Sequence, residues 1–151
     1  MPNLVSTHRI YEGHPDTLLY HCSDGRFTWA CYDLMKSEGH NSYDILAVPG
    51  GSALLDMSSA SIMDVETARS QLNFLIRSHS IQNVYFVAHT GCGYYRKRYN
   101  GQPDNVMIEK QIKDLRVSGA WFKQANPNIQ LFLYLASPQE KRMLFEPVLF
   151  S

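Results

Sequence analysis

A chain of 151 residues is long enough for one domain that buries most of its apolar surface. Hydrophobic residues make up 44% and charged residues 19%, and fourteen basic side chains balance fourteen acidic ones. A neutral chain of ordinary composition argues against wholesale binding of nucleic acid or anionic membrane, so neither is an expected partner.

Residues 1–16 are polar, with His8, Arg9, His14 and Pro15, and read as an arm or a short helix. The start, Met1-Pro2-Asn3-Leu4-Val5, lacks the basic region and long apolar core of a signal peptide. A first strand is expected over 17–21. Phe27, Ala30, Cys31 and Leu34 then recur at helical spacing, with Gly39 as the stop. A second strand, 44–48, runs into Pro49-Gly50-Gly51. Ser61 and Asp64 form a capping-box pattern ahead of the inward stripe Val65, Ala68, Leu72 and Leu75. The third strand is 84–88, and 93–104 reads as an aromatic and basic loop. Ile108, Ile112, Leu115, Gly119 and Phe122 share one helical face that ends at Asn126-Pro127. The fourth strand is 129–136, whose apolar run is too short to span a bilayer. Ser137-Pro138-Gln139-Glu140 resembles a helix start with Pro at its first position.

Strands alternating with helices imply a single α/β domain over 1–151, built on a parallel sheet with helices on its faces. The commonest compact order is 2-1-3-4. In such sheets ligands bind beyond the carboxyl ends of the strands, where the order reverses. Here the reversal falls between strands 1 and 3. Strand 1 runs into Cys22-Ser23-Asp24-Gly25-Arg26, and strand 3 into His89-Thr90-Gly91-Cys92-Gly93. The topology therefore brings Cys22, His89 and Cys92 to one crevice.

Two thiolates and one imidazole form a zinc set with a fourth position left over. Asp24 either fills that position or accepts a hydrogen bond from a water held there, and Arg26 is placed to pair with it. The three cysteines show no paired framework, which fits a reducing, cytoplasmic setting.

Cys22-x-Asp24-x-Arg26 followed by His89-x-x-Cys92-Gly93 resembles the paired zinc signature of the β-class carbonic anhydrases, across roughly residues 17–94. The resemblance implies an α/β zinc enzyme in which an Asp–Arg dyad gates the fourth ligand. It also implies a homodimer or larger assembly, with the site near the subunit interface. The implied reaction is hydration of carbon dioxide to bicarbonate by zinc-bound hydroxide. Carbonyl sulfide and carbon disulfide hydrolases share the scaffold and the ligands. The family's Arg-x-Ala-Gly-like segment after strand 2 is here Val48-Pro49-Gly50-Gly51.

Other readings stand beside these. A zinc-bearing binding or regulatory domain without catalysis would keep the ligands alone. A Cys-x5-Arg phosphatase loop fails, because Thr28 stands where its Arg would be. Cys31 reads as core and His21 as a packed or hydrogen-bonded side chain. Asp24 also suits a helix cap. Arg96-Lys97-Arg98, set among Tyr94, Tyr95 and Tyr99, reads as a solvated loop rather than a nucleic-acid patch. Pro49-Gly50-Gly51 reads as a tight turn, though its amides suit an anion.

Overall fold

β1 (Thr17–Cys22) is buried along its whole length, and β3 (Asn83–His89) at all but its first residue. Such continuous burial belongs to strands covered on both faces inside a sheet. The structure, a computed structural model, describes residues 3–150; Met1 and Pro2 of the expected arm, and Ser151, lie outside the described residues. β2 (Asp44–Val48) alternates half-buried and exposed positions, as an edge strand does. β4 (Gln130–Gln139) pairs with β3, and β5 (Arg142–Pro147) forms the other edge, giving the order β2-β1-β3-β4-β5. The first four strands are parallel in the expected order.

β5 overturns one expectation. Ser137, Pro138 and Gln139 do not open a helix but extend β4, and the chain reverses through Glu140 and Lys141 into an antiparallel pairing. Glu140 takes a left-handed conformation, φ 55°, to make that reversal. Met143 and Phe145 thereby pack against the sheet. Strand pairing plus this burial outweighs a local helix-start preference worth tenths of a kcal/mol to about one.

Side-chain alternation along β1 and β3 feeds two cores. Leu18, Tyr20, Val84 and Phe86 pack under α2 (Ile62–His79), α4 (Asp104–Ala125) and the short 3-10 segment Gly51–Leu55. Leu72 and Phe122 are fully buried there, each contributing about 1.5–3 kcal/mol. Leu19, Tyr85 and Val87 face the other way, under Phe27, Cys31 and Leu34. Of these, Cys31 and Leu34 belong to α1 (Thr28–Ser37). Cys31 is thus a packing residue. At the start of α2, Ser61 Oγ accepts from Asp64 N and donates to the Asp64 carboxylate, as the capping pattern implies.

Residues 3–16 form an arm without helix or strand. The expected loop 93–104 instead opens with a short helix, α3 (Gly93–Arg98). It forms because Tyr95 turns inward and is buried, which helical spacing from Cys92 permits. Tyr94 and Tyr99 pack in the same cluster, while Arg96, Lys97 and Arg98 face solvent. Tyr95 is therefore core, whereas Tyr94 and Tyr99 are half-buried and the Arg98 guanidinium lies over the Tyr99 ring, 5.9 Å from its centroid. Among the described residues, no helix is long and apolar enough to cross a membrane.

Candidate metal centre

β1 ends at Cys22 and its neighbour β3 at His89, with His21 in register with Val87. Cys92 follows in extended conformation, just ahead of α3. The ligand atoms of Cys22, His89 and Cys92 all lie within 4.8 Å of one another, and all three residues are buried. The structure thus joins the three residues that the sequence analysis paired across 70 positions.

Two features test whether this group fits a metal ion. The sulfurs of Cys22 and Cys92 stand 3.8 Å apart. Two thiolates on a tetrahedral zinc, each at about 2.3 Å, are also about 3.8 Å apart. His89 supplies the second feature. Its Nδ1 donates to the Thr90 carbonyl at 2.9 Å, which leaves Nε2 as a bare acceptor. That Nε2 is buried with no hydrogen-bond partner. An unpaired buried acceptor costs about 1–3 kcal/mol, and a cation among the three ligands would satisfy it. The group fits a zinc ion.

The shell fixes these ligands. Phe27 packs on the His89 ring, centroids 4.0 Å apart, and the Gln111 amide donates to the His89 carbonyl at 2.5 Å. The sulfur pair loses its first proton well below the ordinary thiol range. The remaining Cys92 thiol donates to the Cys22 thiolate, which outweighs the opposing effect of burial, and the backbone at Gly50 and Asp24 adds to the lowering. The second proton is held tightly, first because Cys92 is already hydrogen-bonded to Cys22 and then by burial and repulsion. A dication would release it.

Gly50 makes the turn expected of Pro49-Gly50-Gly51, in a left-handed conformation that opens the 3-10 segment. Its φ is 83°, and a Cβ there would lie 2.7 Å from the Tyr94 ring. Gly50→Ala is therefore expected to cost about 2 kcal/mol or more and to weaken metal binding. Denaturant melts of both proteins check this, and equal midpoints would refute it.

Asp24 and Arg26 pair as anticipated. Arg26 Nε reaches Asp24 Oδ1 at 3.0 Å and Nη2 reaches Oδ2 at 2.6 Å, a two-pronged contact. Arg26 N also donates to Asp24 Oδ1, so the cap and the ion pair coexist. The Arg26 guanidinium pulls the Asp24 carboxyl down to about 2. Both line an open cleft of about 550 Å³ together with Phe27, Thr90, Met107 and Gln111. His21 is buried, its ring Nδ1 bonded to the Cys22 carbonyl at 2.7 Å, so it is hydrogen-bonded as expected.

Sequence reasoning missed Gln111, Asp114 and Tyr95. The first two are buried on α4, in the stripe with Met107, Leu115 and Ser118. Polar residues at helical spacing inside an apolar stripe were the available signal.

By sequence, no protein-family model and no curated protein matches the chain. Solved structures do. A β-carbonic anhydrase of Aspergillus fumigatus aligns over 89% of this chain and 76% of its own, with TM-score 0.58 and 12% identity. A carbonic anhydrase of Streptococcus mutans aligns over 96% and 88%, with TM-score 0.58 and 15% identity. One of the tetrameric β-carbonic anhydrases of Sordaria macrospora aligns over 89% and 81%, with TM-score 0.57 and 8% identity. The chain has the β-carbonic anhydrase fold. Within the β-carbonic anhydrase fold, Cys22, His89 and Cys92 sit at the strand ends where the sheet order reverses.

Proposed function

We propose that this chain is a zinc-dependent, carbonic anhydrase-like lyase that hydrates carbon dioxide to bicarbonate, or hydrolyses a close analogue such as carbonyl sulfide. One observation carries the reading. Two sulfurs and a partnerless His89 Nε2 converge, buried, at adjacent strand ends beside the Asp24–Arg26 pair. The carbonic anhydrases among the structural neighbours support it.

Cys22, His89 and Cys92 would hold the ion and leave one position open, as catalytic sites do. A bound zinc would supply Lewis acidity there, drawing the pKa of water toward neutrality. The residues around it supply orientation. Asp24, kept ionised by Arg26, offers acceptor lone pairs to the attacking water. A carboxyl near 2 is a weak base at neutral pH, so Asp24 aims the water and bulk solvent takes the proton. Arg26 holds both Asp24 oxygens and so keeps the carboxylate away from the open position. Phe27 and Met107 line the cleft with apolar surface, which suits a small uncharged substrate.

Metal analysis of the purified protein, followed by stopped-flow hydration with both substrates, tests the reading. About one zinc per chain is expected, with a rate that rises with pH as the water loses its proton. Zinc-loaded protein that gives only the buffer rate with either substrate leaves a zinc-bearing binding or regulatory domain instead.

A homodimer or larger assembly is expected. α1 leaves an open groove of about 1110 Å³ against β4 and β5, floored by Phe27, Leu34, Tyr134, Met143 and Phe145. Leu4, Val5 and Ile10 of the arm are almost fully exposed. Both surfaces gain by meeting a second copy, and the Sordaria macrospora neighbours are tetrameric. A monomer by light scattering at micromolar concentration would refute this.

A further inference from the structure

α4 carries buried polar side chains that the proposed chemistry leaves unused. Gln111, Asp114 and Ser118 stand at i, i+3 and i+7 and so share one face of the helix. Leu115 and Phe122 already supply apolar packing from the same helix. A buried amide, carboxyl or hydroxyl adds little to that packing, and each must find a partner.

All three find theirs in segments that carry or abut a ligand. The Gln111 amide donates to the carbonyl of His89 itself at 2.5 Å. The Asp114 carboxyl accepts from the Tyr95 hydroxyl at 2.5 Å and from Ser59 Oγ at 2.8 Å. Tyr95 belongs to α3, which begins directly after Cys92, and it shares a buried cluster with Cys22, Ala53 and Cys92. The Tyr94 hydroxyl donates to the Ser59 carbonyl at 2.8 Å and ties α3 to the same point. Ser118 Oγ donates to the Ser52 carbonyl at 2.9 Å. Ser52 follows Gly51 in the 3-10 segment, and a Cβ on Gly51 would meet Cys22 N at 3.1 Å.

We propose that Gln111, Asp114 and Ser118 are positioning residues, through which one face of α4 sets the places of His89, Cys92 and Cys22 relative to one another. This role rests on the metal-site reading and deepens it. The physical ground is direction. Apolar contact is non-directional and lets packed segments slide, whereas a hydrogen bond weakens steeply when its partner moves off line. The ligands come from two strand ends and a turn, and a tetrahedral set needs all of them in one frame. A single helix bonded to each segment supplies that frame.

Zinc affinity of the whole chain tests the role, measured by competition with a chromophoric chelator at a temperature where every variant is folded. Lost stability alone does not change affinity under that condition, because the binding-competent fold stays fully populated. Tyr95→Phe keeps the ring and removes the hydroxyl, Ser118→Ala removes the donor to Ser52, and Gln111→Met removes the donor to His89. Each is expected to bind zinc about 10-fold more weakly. Ile76→Val, a packing loss on α2, should melt lower yet bind zinc as wild type does. With cobalt in place of zinc, the thiolate-to-metal charge-transfer band should shift in Tyr95→Phe and Ser118→Ala and stay in place in Ile76→Val. Wild-type affinity with an unshifted band in Tyr95→Phe and Ser118→Ala would overturn the positioning role and leave the metal reading standing. A wild type that binds neither zinc nor cobalt would overturn the metal reading and the positioning role with it.

Discussion

Cys22→Ser is expected to abolish zinc binding while leaving the metal-free protein nearly as stable as before. Serine is close to cysteine in size and can still donate to Cys92 across the 3.8 Å gap. Its hydroxyl stays protonated at neutral pH, however, and an alcohol is a poor ligand beside a thiolate. With wild type, zinc at a thousand times its Kd should stabilise the fold by about 4 kcal/mol, a Tm gain of roughly 10 °C. The variant should lose that gain entirely, because metal binding free energy at such a site is folding free energy. His89→Ala should behave alike, since it deletes the one partnerless nitrogen facing the sulfurs. Thermal melts with and without zinc, together with metal content after dialysis, decide the matter. An unchanged zinc content and Tm gain in Cys22→Ser would remove Cys22 from the ligand set.

The second large effect is expected at Asp24. Asp24→Ala should keep its zinc and lose about 10²-fold or more in carbon dioxide hydration. The three ligands do not depend on Asp24, whereas the water loses its only aimed acceptor in the proposed arrangement. Stability should fall by about 1 kcal/mol at most, because Asp24 also caps the turn at Arg26 N. Arg26→Ala should likewise keep zinc and lose turnover, for a different reason. Without the two-pronged grip the carboxylate is free to swing onto the open position. Stopped-flow rates on zinc-loaded proteins separate these cases. Full turnover in Asp24→Ala would place Asp24 outside the chemistry, and the Asp24–Arg26 pair would then be a turn-capping device only.

The centre of this fold was legible from one dimension. β1 and β3 are short apolar runs that end in Gly-bearing polar turns, the pattern of covered strands, too short for a buried helix. Alternation with amphipathic helices makes the sheet parallel, and its commonest order sets the ends of β1 and β3 side by side. Cys22, His89 and Cys92 followed from topology alone. Asp24 and Arg26 were legible because a contact two residues apart within one turn is local.

Tertiary structure decided what depends on residues far apart or on backbone direction. Gly51 lies so close to Cys22 that a Cβ would meet Cys22 N at 3.1 Å, and it does so only because β2 lies beside β1. Asp114 meets Ser59 only when α4 docks over the 3-10 segment, and no local pattern records that approach. β5 is the plainest case. Ser137-Pro138-Gln139-Glu140 carries a genuine helix-start pattern, and the sheet edge beside β4 outweighed it. Hydrophobic periodicity encodes which face of an element is covered; what covers it is set by packing between elements, where side chains distant in sequence share one low-dielectric interior.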